Sequence, residues 1–308
     1  MIKKIEVTQN ENKERLDKFL CRQFPEFSRS HLQKLIKRKL VLVNAKAVPV
    51  HHFLKTGDIV EISPEEPPKI DLTPDKESPL SIVFEDDNFL VINKEAGLAV
   101  HPAESCREKT LANRLLSYWP DLKNVGEDPT RPGIVHRLDK DVSGLMVVAK
   151  NQKSFQHLKN QFQEHRVKKE YLALVYGQLT KEEGLIDFPI ARGKEGKFVA
   201  RPQNQPGKEA ITQYHLLEKF SNYSLLKITT LTGRTHQIRV HLTAIDHPIL
   251  GDEIYKNKKL KTKIKINRLF LHASKLAFAD LDGQILAFNQ ELPQDLEKIL
   301  TALRELTK

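Results

Sequence analysis

The run from Gly133 to Lys150, GIVHRLDKDVSGLMVVAK, constrains the fold more than any other stretch of the chain. Leu145, Met146, Val147, Val148 and Ala149 form an apolar run of strand length that has to be buried, and Ile134 and Val135 bring the chain out of the core to meet it. Between them lies a polar loop carrying His136, Arg137, Asp139, Lys140 and Asp141. Loops held at both ends by buried backbone are where rigid scaffolds present reactive side chains. The neighbouring cations favour the ionised form of Asp139, which can then act as nucleophile or base. Taken alone, such a segment is read first as a solvated turn with an ordinary ion pair.

A chain of 308 residues exceeds one ordinary domain, so two domains are expected. The formal net charge of +10 points to a polyanionic partner, with general solubility as the other reading. Cys21 and Cys106 are the only cysteines and lie far apart, which makes neither a zinc pattern nor a disulfide framework and fits a reducing cytosol. The opening stretch, MIKKIEVTQNENKERL, has no apolar core of signal-peptide length, and no later run reaches membrane-spanning length. A soluble, cytoplasmic protein with no membrane partner is the expectation.

The stretch Ser63 to Pro79, SPEEPPKIDLTPDKESP, is rich in proline and acid and reads as an exposed linker, dividing the chain near residue 75 into domains 1–75 and 76–308. In the first, Leu16, Phe19 and Leu20 recur at helical spacing until Pro25. Ser28 is expected to cap a second helix with Leu32, Leu35 and Ile36 inward and a cationic face outward, comprising Arg29, His31, Lys34, Lys37 and Arg38. Val41–Val43, a turn at Asn44, Val48–Val50 and Gly57–Ile62 read as short strands. RLDKFL, SRSHLQKLIKRKLVLVN and LKTGDIVEI together resemble the RNA-binding domain first described in ribosomal protein S-four, over about residues 13 to 63.

Beyond the linker, Ile82–Phe84 and Phe89–Asn93 read as paired strands, Phe155, Leu158 and Phe162 as a helix ending near His165, and KKEYLALVYGQL as a strand bearing Tyr171. Ala210–Phe220 and Tyr223–Thr230 alternate as strands about a turn at Ser221-Asn222. Many strands with few helices argue for a mixed, largely antiparallel α+β sheet rather than a doubly wound nucleotide fold. In LTGRTHQIRVHLTAIDHPILGD, Thr235 is expected to cap a helix along which Ile238, Leu242 and Ile245 recur. Arg234, Arg239 and the helix start suit an anion, either a ligand phosphate or a carboxylate of the fold. His236 and His241 lack the spacing of a helical zinc pair, so no metal site is expected.

These segments, GIVHRLDKDVSGLMVVAK, VKKEYLALVYG, TGRTHQIRVHL with HPILGD, and RLFLHASKLAF, in this order, resemble the RluA-type family of pseudouridine synthases, and within it the RluD-like members of the large ribosomal subunit. Glu95 stands where the family usually has proline, Val142 replaces a common threonine, and HPAESCREKTLANRLL lacks the usual glycines.

The resemblance implies isomerisation of uridine in structured RNA, with large-subunit ribosomal RNA favoured over transfer RNA, and with no metal, nucleotide or other cofactor. It assigns Asp139 as the essential nucleophile, Arg239 as its basic partner with Arg234 the less favoured candidate, and Tyr171 as the ring that faces the detached uracil; without the motif, Tyr171 would be read as core packing. His136, Arg137, Arg234 and His236 become substrate contacts, Arg137 filling the gap that a flipped base leaves. A monomer is expected. The other function classes are a catalytically silent RNA-binding assembly factor, which has no need of Asp139, and an enzyme on a small nucleoside, which has no need of the basic first domain.

Overall fold

The computed structural model describes residues 2–27, 29–64, 72–102, 106, 108–193, 196–256, 260 and 264–306. The chain divides into two compact units, Met1–Ile70 and Asp71–Lys308.

In the first unit, β1 (Lys3–Glu6), α1 (Leu16–Gln23), α2 (Arg29–Lys37), β2 (Val41–Val43) and β3 (Ile59–Ile62) surround one core, with the antiparallel sheet ordered β1-β3-β2. Leu16, Phe19 and Leu20 of α1 and Leu32, Leu35 and Ile36 of α2 are all buried in that core. The turn at Asn44 forms with Asn44 and Ala45 both at positive φ. Val48–Val50, expected as a strand, is not one: Pro49 has no N–H to offer a ladder. Its place is taken by Lys3–Glu6, too polar to stand out in the sequence but paired along its length with β3. Ser28, the expected cap of α2, lies outside the described residues.

The second unit contains β4 (Ile82–Glu85), β5 (Phe89–Lys94), α3 (Leu111–Tyr118), β6 (Ser143–Ala149), α4 (Gln152–Gln163), β7 (Lys168–Tyr176), β8 (Glu183–Asp187), β9 (Ile190–Arg192), β10 (Phe198–Ala200), β11 (Ile211–Lys219), β12 (Tyr223–Thr230), α5 (Gln237–Ala244), β13 (Leu271–Ala279), β14 (Ile285–Asn289) and α6 (Gln294–Glu305). Nine strands form one sheet, ordered β4-β5-β6-β13-β7-β12-β11-β8, with β14 on β13. Only the β6–β13 pairing is parallel, and it extends over just two residue pairs before β14 takes over that edge of β13. The architecture is mixed α+β with antiparallel pairing dominant, as the strand-rich pattern implied. β6 is buried at all seven positions, the state its unbroken apolar run requires.

Two features of this unit were not legible beforehand. The helix α3 starts at a reciprocal cap in which the Thr110 N–H and hydroxyl both donate to Asn113 Oδ1, at 2.9 and 2.6 Å. Asn113 Nδ2 also donates to Thr73 O at 2.8 Å, so the described end of the proline-rich stretch is tied to α3 rather than running free. At the β6–β13 seam, Gly144 has φ of +120°, and a Cβ there would collide with the Ala273 carbonyl oxygen. Gly144 and Tyr171 flank Ala273 from opposite sides, so the loop before β6 and the tyrosine of β7 end up two strands apart.

Candidate active site

A cleft of about 730 Å³ in the second unit brings together Asp139, Tyr171 and Arg239 with His136, Arg137, Arg234 and His236. The loop carrying Asp139 is fixed from below. Leu138 and Val142 are buried on either side of it, and Val142 N–H donates to Asp139 O at 3.2 Å. Lys140 O accepts from Gly97 N–H at 2.9 Å and from Lys94 Nζ at 3.1 Å. Lys94 is 1% exposed, and its Nζ also donates to the Glu95 and Leu98 carbonyls at 2.8 and 2.9 Å. Three carbonyls match the three N–H bonds of an ammonium, although burial, resisted by Asp141 and Asp139, pushes this lysine down to about 7. A Lys94→Met variant removes the ammonium from all three carbonyls, of which, among the described residues, only that of Lys140 keeps another donor, and we expect a loss of about 2 kcal/mol in stability, measured by denaturant unfolding. An unchanged midpoint would contradict the tethering role.

Asp139 is open to the cleft, with its side chain 16% exposed. Its Oδ2 lies 3.4 Å from Arg239 Nη1 and 3.8 Å from His236 Nε2. The bidentate partner of Arg239 is a different carboxylate: Nε and Nη2 donate to Asp252 Oδ2 and Oδ1 at 2.7 and 2.8 Å. The resemblance implied Arg239 as the basic partner of Asp139; the bidentate fork closes instead on Asp252, the final residue of HPILGD, and Asp139 receives a single contact from Nη1. Burial opposes both charges, but the paired bonds win, raising Arg239 and lowering Asp252 from their ordinary values. Asp252 also accepts the N–H groups of Ile254 and Tyr255, each at 2.9 Å.

The turn into α5 differs from the expected threonine cap. The N-cap is His236, in the left-handed region with φ of 57°, and no side chain caps the helix. Gln237 stabilises the turn instead: its Oε1 accepts from Thr232 Oγ1 at 2.7 Å and from Arg234 N–H at 3.0 Å, while Nε2 donates to Ile211 O and Thr212 Oγ1. His236 Nδ1 lies 2.9 Å from the Tyr255 hydroxyl, which in turn accepts a bond from the Phe198 backbone. The Tyr255 hydroxyl so fixes the orientation of the His236 ring, whose Nε2 faces Asp139. Burial keeps His236 below its usual value, so the ring is neutral near pH 7.

Tyr171 projects into the same cleft and is hydrogen-bonded to Thr230. Burial, then the charge of Asp139, pushes its hydroxyl up to about 12, so the empty site holds it protonated. Arg137 Nη1 lies 3.3 Å from His101 Nε2, and Arg234 Nε donates to Glu209 O at 2.8 Å, away from Asp139. Neither makes an ion pair among the described residues. His136 lines the cleft, yet its Nε2 accepts the Val147 N–H at 3.0 Å and its ring stacks on Phe162 at 4.4 Å, which ties the loop to β6. Glu95, where the family usually has proline, pairs with Arg114 at 2.7 Å, and Val142 is a core residue.

Three histidines of this unit are held neutral by burial: His136 is lowered to about 3, and His101 and His272 to about 4. Each folded value lies below the unfolded one near 6.5, so the stability they confer is complete above that pH and is lost as the pH falls toward the folded values. We expect stability to drop by up to about 1.4 kcal/mol per pH unit per histidine between roughly pH 6.5 and 4. Thermal unfolding across that range checks it; a midpoint that is flat from pH 7 to 5 contradicts it, and His272→Gln should make the fall shallower.

The basic face proposed for the first unit is only partly as expected. Lys34 and Lys37 are exposed on α2 and Arg38 just past its end, and His31 packs its ring against Phe27 at 5.2 Å. Arg29 is exposed as well, and it also donates to Asp17 Oδ2 from Nη2 at 2.6 Å, beside Arg15 and Gln33 on the same carboxylate. Asp17 is fully buried, and although burial alone would raise its pKa, the Arg29 and Arg15 bonds hold it well below the usual carboxylate range. The sequence reading overlooked Asp17 because RLDKFL presents it as one more helical polar residue.

Comparisons with known proteins identify the family. A family model described as RNA pseudouridylate synthase matches residues 88–244, and one described as S4 domain matches residues 14–60. An uncharacterized RNA pseudouridine synthase of Aquifex aeolicus is 40% identical over 303 residues, covering 95% of this chain and 94% of the relative. Ribosomal large subunit pseudouridine synthase D of Nitrosomonas europaea is also 40% identical, covering 95% of this chain and 85% of that one. Among solved structures, human RNA pseudouridylate synthase domain containing 1 superposes with a TM-score of 0.58 at 27% identity, over 78% of this chain and 98% of that one. Among the described residues no helix is long and apolar enough to cross a membrane, and no group of three or more His, Cys, Asp or Glu side chains is placed to hold a metal ion. This chain belongs to the RNA pseudouridylate synthase family, with an S4 domain ahead of the catalytic one.

Proposed function

We propose that this protein isomerises uridine to pseudouridine in large-subunit ribosomal RNA, with Asp139 as the nucleophile. The observation that carries the reading is an aspartate open to a cleft, beside one N–H of a buried arginine and near a half-buried tyrosine. In the reaction the bond from C1′ of the ribose to uracil N1 breaks, the uracil turns in place, C5 bonds to C1′, the C5 proton leaves to solvent and N1 takes one up. The product is an isomer of the substrate, so no oxidant or co-substrate enters.

Arg239 keeps Asp139 oriented without closing its fork on it, which leaves one carboxylate oxygen exposed to the substrate. The Tyr171 ring supports the detached base. With its hydroxyl protonated up to about pH 12, this tyrosine serves as a platform and proton donor in the free site rather than as a ready-made base. A stacked, paired uridine has to be flipped out at a cost of a few kcal/mol, and Arg137 fills the gap it leaves. The neutral His101 behind Arg137 directs that guanidinium without neutralising it. The S4 domain adds phosphate contacts outside the cleft through α2.

The ribosomal target rests on relatives such as the Nitrosomonas europaea and Haemophilus ducreyi enzymes, both named for the large ribosomal subunit. Mapping pseudouridines in total RNA from cells with and without the gene tests it. The expected result is loss of one or more large-subunit sites. Loss confined to transfer RNA would move the substrate, and no loss at all would overturn the activity.

A further inference from the structure

We propose that Lys169 is a substrate-binding residue that takes the phosphodiester of the flipped nucleotide. This inference rests on the cleft being the uridine site as proposed above.

Lys169 and Tyr171 are two residues apart on β7, so both side chains leave the same face of the strand, about 7 Å apart. Both line the cleft. The cations around them differ in what they already hold. Arg239 is paired with Asp252 and touches Asp139, Arg131 faces Asp128 at 3.4 Å, and Lys159 is paired with Glu127. Lys169 is half-buried, and among the described residues its ammonium has no carboxylate and no hydrogen-bond acceptor. Its Nζ lies 5.8 Å from the centroid of the Phe162 ring. Phe162 is covered on its other contact by His136, a neutral ring, so no negative charge reaches the ammonium from that side.

A desolvated ammonium without a counter-charge is costly, and burial lowers the proton affinity of this one. Such a group is retained at a net benefit when an incoming ligand supplies the charge. In a cleft that receives RNA the available anion is phosphate, and a lysine at the end of a flexible stem meets it as a point charge. The position also fits: the ammonium stands one strand repeat from the ring that supports the base, so it reaches the backbone of the same nucleotide rather than the uracil. Arg137 and Arg234, the other cleft cations without an anionic partner, are both directed by neutral acceptors, His101 and the Glu209 carbonyl.

The test uses the full-length protein and an RNA hairpin built around a uridine that it modifies. Affinity is measured over a range of salt concentrations for the parent, Lys169→Met and Lys169→Arg. Lys169→Met should weaken binding about tenfold and reduce the slope of log K against log salt by about one, while Lys169→Arg restores both. Replacing the phosphodiester at the target uridine with an uncharged methylphosphonate should weaken the parent by a similar factor and add little to Lys169→Met. A parental salt slope in Lys169→Met, or full additivity of the two changes, overturns the assignment. Asp139→Asn is run alongside: if it still isomerises the hairpin, the reading of the cleft itself has failed, whereas an inactive Asp139→Asn with an unaltered Lys169→Met removes only the phosphate contact.

Discussion

An Asp139→Asn variant should retain parental RNA affinity and fold, and lose isomerisation by at least about 10⁴-fold, the scale on which removal of a nucleophile is felt. The substitution keeps the shape of the side chain, and the loop does not depend on its charge: Leu138, Val142, the Lys140 carbonyl and the His136 ring fix it independently. Release of tritium from RNA labelled at uracil C5, under single-turnover conditions, measures the loss. Residual activity within tenfold of the parent would show that some other group attacks the substrate.

Asp252→Ala should be nearly as damaging by a different route. Arg239 is 3% exposed, and removing the carboxylate that accepts two of its bonds leaves a buried guanidinium without its main partner. Breaking such a pair costs about 3–5 kcal/mol, which in a domain of this size lowers the unfolding midpoint by on the order of 10 °C. The freed fork also has Asp139 within reach at 3.4 Å, and turning onto it would bind the nucleophile in an unproductive pose, costing on the order of 100-fold in rate. Calorimetry and single-turnover kinetics measure the two effects separately. Parental values in both would remove Asp252 from the site, and Asp252→Asn should fall between the parent and the alanine variant.

How far the sequence could be read depended on how local the determining interaction was. The strand Ser143–Ala149 and the polar loop before it were legible, because an unbroken apolar run beside clustered charges has few other solutions. So were α1 and α2, whose apolar spacing directly reports the buried face. Asp252 was not, since it lies 13 residues from Arg239 and nothing in ILGD marks an acid as buried. Nor was the pairing of the exposed Arg29 with Asp17, which sits on another helix 12 residues earlier. The cap of α5 was misplaced by one residue: Thr235 has the right chemistry, but Gln237 already closes the turn from inside, and His236 takes the left-handed position. Val48–Val50 does not pair as a strand because Pro49 has no N–H to offer, and the polar Lys3–Glu6 pairs with β3 instead.

The close approach at Gly144 carries a lesson about how such an enzyme can diverge. With only a hydrogen between the two chains there, the separation of the nucleophile's loop from the tyrosine-bearing strand is dictated by main chain alone, through Ala273. Charges around the cleft can therefore drift from one homologue to the next, adapting the enzyme to differently shaped RNA, while the distance between its reactive groups stays fixed.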